Sequence, residues 1–181
     1  MAKADRNANR QALEITGQIT KGILLGYCDE STAATDGVIK ADFYGFSADG
    51  TPATGVTGIK GLQQIPDIGG TAETIETTTF NSHAHTFING LLTYGDSIEF
   101  TTLHDAAQFV ALQGLGSKYW VVGLPDGGDG GASDDYATIK TVAIFKGEVS
   151  ARINGVGTNE ALTDTIAITP SSSIEFKTVA A

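Results

Sequence analysis

The chain has 181 residues, a length that fits one domain and should bury roughly 70% of its unfolded surface. Only 18% of its residues are charged and the formal net charge is −10, which excludes a basic surface built to grip nucleic acid, because phosphate contacts need clustered Lys and Arg. Cys28 is the single cysteine, so no internal disulfide can form, and the polar residues 1–10 contain no apolar core of a signal peptide.

Residues 1–12 are rich in Ala, Asn and Arg without a periodic apolar face, and read as an arm that is disordered or ordered by a partner. Residues 13–181 are expected to form one β domain, since 23 glycines and many β-branched residues favour strands and turns. A strand is predicted over 15–27, a polar loop over 29–37, and a half-buried strand over 38–46, where Ile39, Ala41 and Phe43 alternate with Lys40, Asp42 and Tyr44. A turn at 48–52 precedes a strand over 56–65, and 66–70 breaks the chain before a Thr-rich segment over 71–80. The loop over about 80–95 contains Phe80, Phe87, Ile88, Leu91 and Leu92, too much apolar surface to be left in water.

Residues 96–103 give another strand, followed by a helix with Asp105 as N-cap, spanning 106–113 and ended by Gly114 and Gly116. The run 118–124 is apolar on both faces, as a covered strand would be, and places Trp120 in the core. A Gly- and Asp-rich loop over 125–135 leads to a long strand over 137–153, kinked or bulged at Gly147. Asn154-Gly155 marks a hairpin turn, and strands over 161–168 and 173–179 close the sheet. The longest apolar stretch, 22–28, is too short to cross a bilayer, and the protein is expected to be soluble and made in a cytoplasm.

The chemistry of a catalyst is missing. Gly45-Phe46-Ser47-Ala48-Asp49 fails the nucleophile elbow at its last position, and Gly155-Val156-Gly157 lacks the third glycine of a phosphate loop. Cys28 reads as an inert thiol in a strand interior. His83 and His85 could share one side of an extended segment, but neither His104 nor an acidic cluster completes a coordination sphere, and the Asp126–Asp135 region lacks a calcium loop's closing Glu. No enzyme, cofactor or metal is expected.

The ordered set Pro66-Asp67-Ile68-Gly69-Gly70, Ile75-Glu76-Thr77-Thr78, Phe87-Ile88-Asn89-Gly90-Leu91 and Gly95-Asp96-Ser97-Ile98-Glu99-Phe100 resembles the tail tube (major tail) proteins of long-tailed phages. The helix beginning Asp105-Ala106-Ala107-Gln108-Phe109 and the ending Gly147-Glu148-Val149-Ser150, Asp164-Thr165-Ile166-Ala167-Ile168 and Ser173-Ile174-Glu175-Phe176 extend the likeness, so that it covers residues 61–176. Residues 29–60 are longer than the family's minimal first strands, and the Gly/Asp content of 125–135 is unusual for it.

The resemblance implies a mainly β fold, two packed antiparallel sheets in a sandwich or barrel-like arrangement, with one flanking α-helix and a long projecting loop. It also implies hexameric rings that stack into a tube whose channel passes DNA, with this chain itself and other tail proteins as partners. Phe80, Phe87, Ile88, Leu91 and Leu92 would then dock on the next subunit or ring, the alternative being that the loop folds back over its own sheet. A ring would multiply the net charge of −10 and let DNA slide past acids such as Asp42, Glu73, Glu76, Glu99 and Glu148. Period-2 alternation gives two faces without naming which lines a lumen. Rival readings are the inner tube of a contractile injection or secretion device and a carbohydrate- or receptor-binding β-sandwich, the latter needing an exposed aromatic platform.

Overall fold

The computed structural model describes residues 23–78, 84–93, 97–125, 139–158 and 160–179. The elements run β1 (Leu24–Cys28), α1 (Glu30–Ala33), β2 (Ala34–Thr35), β3 (Val38–Ile39), β4 (Thr57–Gly58), β5 (Leu62–Gln64), β6 (Thr71–Glu76), β7 (Phe87–Thr93) and β8 (Ile98–Leu103), then α2 (Ala106–Leu112), β9 (Ser117–Pro125), β10 (Ile139–Ile153), β11 (Thr163–Pro170) and β12 (Glu175–Thr178). The arm at 1–12, the start of the predicted strand at 15–27, and nearly all of the Gly/Asp loop lie outside the described residues.

The body is one antiparallel sheet in the order β4-β1-β9-β10-β11-β8-β5, with β12 also paired to β10. The fifteen-residue β10 holds it together, because its first part pairs with β9 and β12 while its second part pairs with β11. Gly147 sits at the exchange, opposite Lys118 on one side and Pro170 on the other. A Cβ there would come within 2.8 Å of Thr169 O and Ile168 Cγ2, so only glycine lets β11 approach closely enough to pair. The two packed layers expected from sequence are thus halves of a single curled sheet.

The curl closes on itself. The sheet's two margins, β4 and β5, are joined by residues 59–61 alone, and three residues span at most about 10 Å. Both margins stay bonded through that corner: Ile59 N donates to Leu25 O at 2.8 Å, and Leu103 N donates to Gly61 O at 2.8 Å. A positive φ of 70° at Gly61 makes the turn, and it splits the single strand predicted over 56–65 into two.

Alternation along the central strands feeds two cores. Leu25, Trp120, Val122, Ala143 and Phe145 point into the curl against Phe100, Ile166 and Ile168, with Leu112 of α2 at its edge. Leu24, Tyr119, Val121, Val142 and Ile144 point the other way, under a cover formed by residues 29–56 through Ala33, Ile39, Phe43 and Phe46. Trp120 is 0% exposed, and its Nε1 donates to Gly147 O at 3.2 Å. Each such large side chain contributes about 2–3 kcal/mol by burial.

That cover corrects the strand predicted over 38–46, which holds only from Val38 to Ile39. The positive φ values of Asp36, Gly37 and Gly45 coil the chain, and Gly45 lies so close to the sheet that a Cβ would be 2.6 Å from Val121 Cγ1. Ile39, Phe43 and Phe46 are all buried while Ala41 is exposed, a one-sided coil and not a pleat. The helix agrees with its sequence signals: Asp105 Oδ1 accepts from Ala107 N at 2.9 Å and Gln108 N at 3.0 Å. A tight hairpin at Asn154-Gly155 is not formed, because β11 begins only at Thr163. Instead Asn154 ties the base of a longer loop, donating to Thr163 Oγ1 at 3.0 Å and accepting from Thr165 Oγ1 at 2.9 Å; this side-chain clamp satisfies the groups that a two-residue turn would have paired.

Candidate functional site

Within the segment predicted as a projecting loop, β7 forms one strand of a β-ribbon. β6 and β7 pair antiparallel, with Ile75 opposite Ile88, Glu76 opposite Phe87 and Ala72 opposite Leu92. The register slips between Ala72 and Thr74, where β7 spends one residue more than β6. Gly90 lies in that bulge, and a Cβ on it would meet Ile75 Cδ1 at 3.0 Å and Glu73 O at 3.2 Å. The sequence missed this pairing because Gly90 and Asn89 interrupt the alternation of β7.

Directly opposed residues share a side, so Ile75 and Ile88 mark one face of the ribbon and Phe87 and Leu92 the other. All are exposed, Leu91 most of all at 83% and Phe87 at 59%. Apart from each other, neither strand packs extensively on any other described element. A lone two-stranded hairpin is marginal in water, and this one carries exposed apolar side chains on both sides. Phe80 lies outside the described residues; Phe87, Ile88, Leu91 and Leu92 come together here, joined by Ile75, whose alternation with Glu76 was the available signal.

The ribbon's far end is polar. Thr77 N donates to Thr86 O at 2.8 Å, and Glu76 pairs with His85 Nδ1. Hydrogen bonds from Thr78 and His85 hold the Glu76 carboxyl below its usual range.

The five acids proposed for a lumen separate into three places. Asp42 is exposed in a turn of the cover, not on a strand, while Glu73 and Glu76 belong to the ribbon. Glu99 and Glu148 share one outward face: Glu148 is opposite Thr169, two residues from Ala167, which is opposite Glu99. Arg152 lies on that face too, its Nη2 at 3.6 Å from Glu99 Oε2, and sequence reading had given it no role.

Two further groups bear on chemistry. His104 Nδ1 lies 2.9 and 3.0 Å from the two oxygens of Asp164, which is almost wholly buried where β8 ends and β11 begins, and the His104 ring rests 6.0 Å from that of Phe109 on α2. Thr102, opposite Asp164, keeps a buried hydroxyl without a partner. This pair ties α2 to the sheet; among the described residues no group of three or more His, Cys, Asp or Glu side chains is placed to hold a metal. The Cys28 thiol is buried and pushed up to about 11, chiefly by desolvation, the opposite of a nucleophile's environment. Among the described residues no helix is long and apolar enough to cross a membrane.

The sequence matches no protein-family model and no curated protein. Among solved structures, the fold is similar to a chain in the cryo-EM structure of the anti-feeding prophage baseplate, 6-fold symmetrised, with a TM-score of 0.55 and 12% identity over 92% of this chain and 99% of that one. At that identity the likeness is one of fold.

Proposed function

We propose that this chain is a structural subunit of a phage tail or tail-like particle, assembling with copies of itself into stacked hexameric rings that form a tube, and that it has no catalytic role. The observation that carries the reading is the ribbon, which presents large apolar side chains on both faces with no described part of the body to cover them. A closed ring supplies such cover by giving each copy the same neighbour. The fold likeness to a chain of a 6-fold symmetrised prophage baseplate supports the same class of machine, and other tail proteins would meet the tube at its ends.

In this reading the sheet face bearing Glu99 and Glu148 lines the channel. Carboxylates without a surplus of cations let a phosphate backbone slide where lysines would hold it. The baseplate likeness favours a second version of the same idea, the inner tube of a contractile injection or secretion device, which a sheath around the particles in micrographs would distinguish. A carbohydrate-binding role is disfavoured by Trp120, the lone tryptophan, lying wholly in the core.

The test is negative-stain microscopy with sedimentation velocity on concentrated protein. Rings or tubes are expected for the unaltered chain, and a folded monomer for Phe87→Asp or Leu91→Asp. Unaltered protein that stays monomeric at every concentration rules the reading out.

A further inference from the structure

Between Lys60 and Lys118 the chain contains no lysine or arginine, and this stretch includes the whole ribbon. Glu73 and Glu76 therefore lie beside exposed Ile75, Phe87, Ile88, Leu91 and Leu92 with no Lys or Arg on the ribbon to balance them, His85 beside Glu76 being the one basic side chain described there. Residues 1–22 have the reverse composition. They carry Lys3, Arg6, Arg10 and Lys21 against Asp5 and Glu14, together with apolar Leu13, Ile15 and Ile19. A net basic segment thus precedes β1 in a chain whose net charge is −10.

We infer that residues 1–22 of one copy dock on the β6–β7 ribbon of a neighbouring copy, apolar side chains against the apolar faces and cations against Glu73 and Glu76. The inference rests on the assembly reading and says which segment covers the ribbon. Burial of the ribbon's aliphatic and aromatic groups would supply the affinity, offsetting the cost of ordering a terminal segment. The charges would set which surface is chosen and in what register. The outer edges of β6 and β7 pair with no other described strand, so backbone groups are also free to receive an extended segment.

The experiment uses four full-length proteins: unaltered, Arg6→Glu/Arg10→Glu, Glu73→Lys/Glu76→Lys, and all four substitutions together. The assembled fraction is measured by sedimentation at one protein concentration, and thermal unfolding of the unassembled form checks that each is folded. Each double variant should lower assembly by about tenfold and the fourfold swap should restore it to within about threefold of the unaltered protein, because exchanging the signs preserves the attraction. If Arg6→Glu/Arg10→Glu assembles normally, or the swap fails to restore two defective doubles, the pairing is wrong while the tube reading stands. If the unaltered protein never assembles, the tube reading itself fails. Hydrogen-exchange protection of 71–93 in dilute unaltered monomer, lost in Arg6→Glu/Arg10→Glu, would mean docking within one copy and would overturn docking on a neighbour.

Discussion

The β9–β10 pair and the β6–β7 ribbon are both antiparallel, both rich in apolar residues, and opposite in fate. In the first, Trp120, Val121, Val122, Ala143, Ile144 and Phe145 are all fully buried, because the curl fills one side and the 29–56 cover fills the other. In the second, no residue of β6 is buried and only Gly90 of β7 is even partly shielded. The difference lies in what covers the strands, not in the strands themselves. The body satisfies its apolar faces within one chain, and no described part of the chain covers those of the ribbon.

Substitutions in the two regions should therefore separate stability from assembly. The largest stability effect belongs to Trp120→Ala, which removes a fully buried indole and its bond to Gly147 O; a loss of about 3–5 kcal/mol is expected, measured by denaturant unfolding of the monomer. Leu91→Asp, at a residue 83% exposed, should leave monomer stability within about 0.5 kcal/mol while abolishing rings. A ribbon substitution that unfolded the monomer as Trp120→Ala does would erase the distinction.

Smaller effects sharpen it. Asp105→Ala removes the cap of α2 and should cost about 1 kcal/mol, a fall in Tm of about 2–4 °C for a chain of this size. Hydrogen bonds from Gln108 N–H and Ala107 N–H hold the Asp105 carboxyl below its ordinary 3.8. A depressed carboxyl stabilises the fold above its unfolded value and loses that contribution as pH falls through the folded one. Asp105→Asn, which keeps an acceptor without the titration, should therefore show a flatter Tm profile below about pH 4 than the unaltered chain. Arg152→Ala, which removes an exposed pair with Glu99 at 3.6 Å, should change stability by less than about 0.5 kcal/mol. If it raises assembly or leaves it unchanged, the Glu99 face is open, as a channel lining requires; a sharp loss would make that face a subunit contact.

Much of the body was legible in the sequence. Local signals that act within a few residues were read correctly in the capping Asp105 and the doubly apolar 118–124, whereas no bulge forms at Gly147: the β9–β10 register runs on through Gly147 and shifts between Ile139 and Thr141 instead. The apolar content of 87–92 was legible and the structure leaves it exposed, but its strand pairing was hidden by the bulge at Gly90. Alternation misled over 38–46, because a coil that buries Ile39, Phe43 and Phe46 on one side can imitate a short pleat. The acids illustrate the same limit, since period 2 marks them as outward without saying that Glu99 and Glu148 share a face while Glu73 and Glu76 stand on the ribbon.

By itself the sequence determined the β character, the capped helix and the central strand buried on both faces, because propensity, capping and periodicity are set by residues close in the chain. Only the tertiary structure decided that one sheet closes through residues 59–61, that His104 meets Asp164 sixty residues away, and that the ribbon stays uncovered. Those outcomes depend on register and on contacts between distant segments, and alternation alone specifies neither which strands pair nor which face another part of the chain will cover.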